Sequence, residues 1–596
     1  MADKGRSLNY YLDRFHTLER EKQPWLLHFQ ALAQIFLTRE MDFTRMMIPG
    51  EFLQAYVYDN TGQFSAALCA SIILSMMWPD AGRTFRVKPV KRLKGLAGVD
   101  EFFRYVTEDL HSVMDNPRAG LQVALMEWAL DWVIFGTSGL ATLDGPKDDP
   151  SLPVVYDGWS TKRMFIDEDI AGFVDTVYYK RPLTARQIMM EYGSGKYPGD
   201  SVSPIIKEEA ENPNADPNEQ EGTDVLVVIE PKEPEKGKAG VAAMRVRTVH
   251  IDLKHNHIMR ESGYHEMPVA VSRLFKQMDE KYGRSFGMLA LPDAQSLNAL
   301  AEAVLVATEK QLDPPLGVLD DGRLGGGVVD TSAGALTVFN SAGKVNPNEK
   351  PIFPLFTVGE MQSSAALMER LGGLIKQAFQ LDRLLDLTNS AHSAEMTAYE
   401  TAVRDRIRGE SLGSTFSRAE KEVFTPTIQR TFNMRYRQGA YGIINEGIAA
   451  RIRMLWGKIT GVKPMVVPPA VIAAAKEGLD VFEVEYISPA KRFQQQQKLQ
   501  GMTTAVQTIG NVSEQIPSMK DNVHPDRTAR HIWEFSGAPE ECLRTDDELK
   551  AFREAQAKAA EEQAKLAQAE AITNMGAKAA QGKAALGGMA GSPIAP

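Results

Sequence analysis

The stretch from Lys281 to Asp321, KYGRSFGMLALPDAQSLNALAEAVLVATEKQLDPPLGVLDD, constrains this chain more than any other. A Gly/Arg/Ser loop leads into Leu291-Pro292-Asp293. One unbroken helical pattern comes next. Leu297, Leu300, Ala301, Val304, Leu305 and Leu312 share an apolar face, while Glu302, Glu309 and Lys310 are polar. Asp313-Pro314-Pro315 ends the helix, because a residue before proline avoids the α region, and the exit is extended. A helix of this kind suits packing on copies of itself better than holding a catalyst.

The next hundred residues repeat the theme. A Gly-rich strand and turn region is expected at about 316–356. A second long helix is expected over about 358–386, carrying Met361, Leu367, Met368, Leu371, Leu374, Ile375, Phe379 and Leu381. The polar connector LTNSAHSAE, 387–395, leads into a third long helix from about 395 to 438. Long helix, small β module, long helix, polar loop and longer helix is the order to be explained.

The rest of the chain reads as α+β, predominantly helical. Residues 8 to about 40 carry Tyr11, Phe15, Leu18, Trp25, Leu26 and Phe29 on a helical stripe. Further helices are expected at 62–78, 98–115 and 119–136, the last stopped by Phe135-Gly136-Thr137-Ser138-Gly139. Short β-branched and aromatic runs then predict a mixed sheet region from about 153 to 275. One short helix, Thr184–Tyr192, interrupts it with Thr184 as N-cap. Residues 207–222, KEEAENPNADPNEQEG, read as a solvated acidic loop, with a patch for a basic partner as the alternative. Pro464–Tyr486 alternates strand and helix signals, and helical patterns return after Ile487-Ser488-Pro489. Thr545-Asp546-Asp547-Glu548 is a capping box for a last, Ala/Glu/Gln/Lys-rich helix, and 577–596 read as a disordered tail.

Composition narrows function. A chain of 596 residues with 43% hydrophobic content builds several large cores. A formal charge of -10 argues against a general nucleic-acid binder. Cys69 and Cys542 stand far apart with no ligand pattern, so neither a disulfide framework nor a zinc site is expected. The longest apolar run, Phe64–Trp78, has 15 residues, short of the roughly 20 that span a membrane, and is expected to be a buried helix. No export signal is read at the start, MADKGRSLNYYLDRF.

Motifs for catalysis are weak. Gly322-Arg323-Leu324-Gly325-Gly326-Gly327 lacks the Lys-Ser/Thr of a phosphate loop, and Ser341-Ala342-Gly343-Lys344 is followed by Val345 and lacks the first glycine at Val338. His250, His255, His257 and His265 invite a metal or nuclease reading, but no Cys or His/Asn frame accompanies them, and a Lys/Asn/His hairpin turn is the plainer one. Gly136-Thr137-Ser138-Gly139 is one residue short of a nucleophile elbow. No enzyme activity and no cofactor are expected.

A set of segments, in order along the chain, resembles the portal, or head-to-tail connector, proteins of short-tailed bacteriophages. They are the opening helix with Arg20 and Trp25; Phe135-Gly136-Thr137; Tyr179-Lys180-Arg181-Pro182-Leu183-Thr184-Ala185-Arg186-Gln187; Tyr282-Gly283-Arg284-Ser285 with Leu291-Pro292-Asp293 and Asp313-Pro314-Pro315; Met396-Thr397-Ala398-Tyr399-Glu400; Tyr486-Ile487-Ser488-Pro489; and His524–Leu549. Phe286, where the family usually has proline, and Tyr399, where it has a small residue, depart from the pattern. The resemblance implies one subunit of a dodecameric ring around a DNA channel at one capsid vertex, made in the host bacterial cytoplasm and carried in the virion, with no membrane role. It implies a wing over 1–290, stem helices at 291–315 and 357–386, a clip at 316–356, a tunnel loop at 387–395, a wing return over 396–486 and a crown over 487–575. The implied partners are double-stranded DNA, terminase, a tail adaptor, and the major capsid and scaffolding proteins. Lys376, Arg383, Asn389 and His392 are the expected DNA-facing residues, with salt bridges between neighbouring subunits as an equal alternative for Lys376 and Arg383. Arg323, Lys344 and Lys350 are the expected partner contacts of the clip. An internal scaffold or ejection protein would also be helical and acidic, but would not need the helix, β module, helix order.

Overall fold

Periodicity sets the elements of the computed structural model. It describes residues 6–44, 57–79, 83–96, 98–146, 149, 151–193, 200–211, 223–234, 244–312, 316–318, 352–354, 362–382, 384, 415–441, 467–476, 481–487, 501–510, 524–536, 549, 551–563 and 565. The chain divides into two units, Met1–Gln494 and Gln495–Pro596. The second unit shows helices at 501–510, Pro525–Ser536 and 551–563, with Arg553 holding Asp526 at 2.9 Å. The expected capping box at Thr545–Glu548 and the tail lie outside the described residues.

In the large unit the helical expectations are met closely by α1 (Leu8–Phe36), α2 (Thr61–Met77), α3 (Val99–Met114) and α4 (Leu121–Phe135). The Phe64–Trp78 run becomes α2, whose Ala66, Cys69, Ala70, Ile73 and Met77 are buried, and no described helix is long and apolar enough to cross a membrane. Burial pushes the Cys69 thiol up to about 12, so it packs as an inert apolar group. In α4 every residue from Trp128 to Phe135 is buried, including Asp131, whose carboxyl oxygen accepts the Thr161 N–H at 2.9 Å. Its rings Trp128 and Trp132 stack at 5.1 Å, and the Trp128 indole donates to Ser272 at 2.9 Å.

The β region differs from the expected mixed sheet. It starts at Thr137 and forms two antiparallel sheets, β3-β2-β9 and β4-β5-β6-β7-β8. These strands are β2 (Thr137–Asp144), β3 (Val154–Trp159), β4 (Met164–Glu168), β5 (Val174–Leu183), β6 (Thr223–Pro231), β7 (Val246–Asp252), β8 (His257–Tyr264) and β9 (Val269–Arg273). The apolar runs identify strands but not their partners, so direction was not readable from them. Strand β6 is covered on both faces. Val225, Val227 and Ile229 enter the main core, while Leu226 and Val228 join Tyr11, Phe15 and Leu18 of α1 in a second core. Helix α5 (Ala185–Tyr192) starts at Thr184, which forms the expected cap reciprocally with Gln187. The acidic stretch begins inside a helix: α6 (Pro204–Glu211) takes residues 207–211, and 212–222 lie outside the described residues.

A lysine ties α1 to this sheet. Lys22 is fully buried and donates to the carbonyls of Thr161 (2.6 Å), Lys162 (2.9 Å) and Met164 (2.9 Å), with the Phe165 ring 4.4 Å away. Burial, reinforced by Lys180, lowers its pKa well below the ordinary lysine value. Three carbonyls and an aromatic face replace the water that the ammonium lost. Strand β1 (Phe85–Pro89) closes the unit by pairing with β12 (Phe482–Tyr486), so residues nearly four hundred positions apart share one ribbon. The third long helix is described from 415. It contains a π turn at Glu420–Phe424 before α9 (Thr425–Arg437), and Pro426, which has no N–H to offer its i−4 carbonyl, explains the widening.

Lys22→Ala is expected to cost on the order of 3 kcal/mol, because three buried carbonyls lose their donor. A thermal-unfolding midpoint equal to that of the parent would contradict the role given to Lys22.

Candidate functional site

Two of the sequence motifs meet at one crossing. Gly136 ends α4 in the left-handed region at φ +81, its N–H bonded to the Trp132 carbonyl at 3.1 Å. Gly283 packs against it so closely that a Cβ on Gly283 would stand 2.4 Å from the Gly136 oxygen. A Cβ on Gly136 would stand 2.5 Å from the Gly283 oxygen, and one on Gly287 would stand 2.7 Å from the Ile134 oxygen. Backbone lies on backbone here, and only glycine permits it. The Gly283 N–H donates to Thr137 Oγ1 at 2.8 Å, and the Leu274 N–H to the Gly136 oxygen at 2.8 Å. Ser285 joins two helices with one hydroxyl: it donates to the Ile134 carbonyl at 2.7 Å and accepts the Met288 N–H at 3.0 Å. The second bond caps the helix that starts at Phe286.

That helix, α7 (Phe286–Leu312), begins ahead of the expected 293 and contains Pro292. Phe286, the departure from the family pattern, is its first residue and packs edge-on against Phe275 at 5.2 Å. Helix α7 pairs with α8 (Gln362–Ala378), and both are rooted in the unit at one end. At the root of α7 lie Phe286, Ala290, Leu291, Ala294 and Leu297, all buried; at the root of α8 lie Ile375, Phe379 and Leu384, with Phe379 edge-on to Phe36 of α1 at 5.4 Å. Away from the roots the apolar side chains emerge. Leu305 is 51% exposed, Leu312 82% and Leu367 46%. Between the helices, β10 (Leu316–Val318) and β11 (Ile352–Pro354) pair antiparallel. The chain from 319 to 351 therefore leaves and returns through a two-stranded ribbon. Together α7 and α8 carry four acidic and three basic residues, so the hairpin is sparsely charged.

Lys376 is exposed on α8, without an ion pair to any described residue. Arg383, Asn389, His392, Arg323, Lys344 and Lys350 lie outside the described residues. The histidines go separate ways. His250 is half-buried and meets the Tyr192 hydroxyl (2.8 Å), His255 binds Asp252 (2.7 Å) in the β7–β8 turn, and His257 meets Ser201 (3.0 Å). Among the described residues no group of three or more His, Cys, Asp or Glu is placed to hold a metal ion. Ser138, in the near-elbow, is buried in β2 and offers no exposed nucleophile.

Sequence reasoning missed two features. One is a buried ionic network. Arg273 contacts Glu168 and the Gly172 oxygen (2.8 Å), Glu168 also holds Lys276 (2.5 Å), and the Arg273 N–H donates to Glu422 (2.9 Å) in the π turn. Nothing in a linear pattern marks which arginine is buried. The other is a basic run, with Arg83, Arg86, Lys88, Lys91, Arg92 and Lys94 and no acid before Asp100, which a local charge count would have found.

Two measurements test this arrangement. Gly283→Ala is expected to destabilise by roughly 3 kcal/mol or more, since neither backbone at the crossing can yield, whereas Gly373→Ala, whose Cβ meets nothing within 4 Å, should stabilise the unassembled chain by up to about 1 kcal/mol. Similar unfolding midpoints for the two would contradict the crossing. Burial first, then Arg260 and Arg181, lowers the His250 pKa from 6.5 to about 3. The unfolded chain therefore takes up a proton that the folded chain refuses, and stability falls as pH drops from about 6.5 toward 3. His250→Gln should flatten part of that acid slope in thermal melts; an unchanged slope would exclude His250 as its source.

Similarity to known proteins runs through the same residues. The family described as "Bacteriophage head to tail connecting protein" matches residues 9–443. A "Probable portal protein" of Bordetella phage BPP-1 is 23% identical over 575 residues, 96% of this chain and 94% of that one. The "Portal protein" of Salmonella phage epsilon15 is 24% identical over 588 residues, with the same coverage. A solved chain from the neck of an empty GTA particle computed with C6 symmetry aligns over 72% of this chain and 92% of its own at 13% identity, with a TM-score of 0.33, too low to argue from. The matched residues take in the glycine crossing and both helices of the hairpin, and the chain belongs to the bacteriophage head to tail connecting protein family.

Proposed function

We propose that this chain is a portal subunit, forming the ring at one capsid vertex through which double-stranded DNA is packaged and later ejected. The observation that supports the reading is the hairpin α7–β10/β11–α8, rooted at one end, with Leu305, Val306, Leu312 and Leu367 exposed on the remainder. One copy cannot cover that surface. Neighbours in a ring can, and each half-exposed leucine buried there contributes on the order of 1 kcal/mol. In this reading α7 and α8 are the stem, the excursion closed by β10 and β11 is the clip, 387–395 is the tunnel loop, and the unit after Gln495 holds the crown. The helical and sheet layers before α7 are the wing. The ring is a dodecamer that meets the terminase and then the tail adaptor through the clip, where Arg323, Lys344 and Lys350 make contacts, and sits among capsid and scaffolding proteins in the virion.

The charge pattern of the hairpin supports a channel. Duplex DNA carries a charge about every 1.7 Å, and a wall rich in lysine and arginine would hold it. Seven charged residues spread over α7 and α8, nearly balanced in sign, leave little to hold it with. Lys376, Arg383, Asn389 and His392 are the DNA-facing residues in this reading, and Lys376 and Arg383 serve equally well as bridges between neighbouring subunits.

Negative-stain electron microscopy of the purified protein should show rings with a central hole and dodecameric symmetry; monomers or dimers under assembly conditions would overturn the reading. Shortening 387–395 should leave the rings intact and impair DNA packaging or retention. Unchanged packaging would remove the loop from the mechanism.

A further inference from the structure

Two surface patches of the large unit are unlike each other and fit each other. The first is built from two turns locked side by side. Between β4 and β5, Gly172 turns the chain at φ +80, and its oxygen accepts Arg273 (2.8 Å) and Lys276 (3.2 Å) from the segment after β9. Glu168 holds the same two cations. Buttressed in this way, the turns present Ile170, 109% exposed, Phe173, 64%, and Met278, 90%. Side chains of that size held out on a rigid frame cost hydration free energy and lose little conformational entropy on binding. Asp169, Asp175 and Asp279 neighbour them in sequence; Asp169 accepts the Phe173 N–H (2.8 Å) and Asp175 the Thr176 hydroxyl (3.0 Å), and none has an ion pair to a described residue.

The second patch is the basic turn after β1. Three successive turn bonds order it: Leu93 N–H to Val90 oxygen (2.8 Å), Leu96 N–H to Leu93 oxygen (3.4 Å) and Val99 N–H to Leu96 oxygen (3.2 Å). Leu93 is buried as the anchor, so Lys91, Arg92 and Lys94 stand outward, without ion pairs to described residues. The neighbouring cations are already engaged, Arg83 with Glu108 and Lys88 with Glu485. Leu96, 45% exposed, supplies apolar area in the same turn.

We infer that the acidic turns bearing Ile170, Phe173 and Met278 dock on the basic turn bearing Lys91, Arg92 and Lys94 of a second copy of this chain. Each copy carries one patch of each sign, so the acidic patch of one copy meets the basic patch of another, whereas like charges set opposite each other repel. Repeated in one direction, as the ring of the portal reading requires, the contact is head-to-tail and generates a closed ring or an open filament. This rests on the portal reading for closure into a ring, but names a contact in the wing that is separate from the stem hairpin.

Charge reversal tests it. Lys91→Glu/Arg92→Glu/Lys94→Glu makes both patches acidic, and Asp169→Lys/Asp175→Lys/Asp279→Lys makes both basic. Lys91, Arg92 and Lys94 are exposed, so the basic-turn variant should melt near the parent temperature; the acidic-turn variant loses the Asp169 acceptor of the Phe173 N–H (2.8 Å) and sets lysine at the positive φ of Asp279, so it should melt lower, and restored rings in the mixture show that it is folded. Neither variant should form rings alone in low salt, by electron microscopy and sedimentation, whereas an equimolar mixture should, with the two chains alternating. Rings from either variant alone would overturn the wing contact and leave the portal reading standing. No rings from the parent chain would overturn both. A basic-turn variant that assembles normally but loses retention of a duplex DNA probe would assign the turn to nucleic acid instead, and would equally overturn the contact.

Discussion

The meeting of Gly136 and Gly283 is the constraint on which the rest of the unit depends. Two backbone segments touch with no side chain between them, each Cα within reach of the other's carbonyl. The contact fixes several things at once. It ends α4, it sets the first residue of β2 through the Thr137 hydroxyl, and it holds the loop from which α7 departs. Ser285 then sets the direction of α7 by bonding the last turn of α4 and the first turn of α7 with one oxygen. A long helix anchored at one end by such a crossing acts as a rigid lever, because backbone contacts of this kind admit no rotamer adjustment.

The same crossing reaches the return helix through one residue. Arg273 ends β9, and its Cβ and Cα are among the nearest atoms to Gly283. Its backbone N–H and guanidinium meet Glu422, which the π turn presents. Burial raises the Glu422 pKa, while Arg273, Arg418 and Lys276 oppose that rise. A carboxylate in such a place is costly unless its partners stay put, so the network gives this junction one defined geometry rather than extra stability. The π turn thus meets a root that is itself tied to the start of α7.

Much of this was legible in the sequence, and the rest was hidden for physical reasons. Periodicity gave α1 to α4 because a buried stripe must repeat with the helix, and Thr184 announced α5 because an N-cap is chemically local. Periodicity misplaced the start of α7, since Pro292 looks like a boundary and here lies inside the helix. The Phe-Gly-Thr and Tyr-Gly-Arg-Ser segments stand out as motifs, but their meeting across almost one hundred and fifty residues was not visible, because contact between loops leaves no periodic trace. Lys22 and Arg273 stayed hidden because charged residues are expected outside. Six of the seven singled-out site residues fall outside the described residues, and Lys376 alone has a described place, exposed on α8.

Charge is distributed unevenly between the hairpin and the layers that precede α7. On α7 and α8 charges are few and mixed in sign, so apolar contact would do the holding in the proposed ring. Before α7, two groups of charges of opposite sign have no ion pair to a described residue, the acidic one next in sequence to the exposed Ile170, Phe173 and Met278. Apolar contact supplies affinity but is tolerant of register, whereas charge supplies register and adds little affinity in water. In a ring of the kind proposed, a small angular error at each contact would accumulate around the circle and open it into a helix. Under that proposal the exposed leucines of the hairpin would hold neighbouring copies and the charged turns would orient them, two needs met on different parts of one subunit.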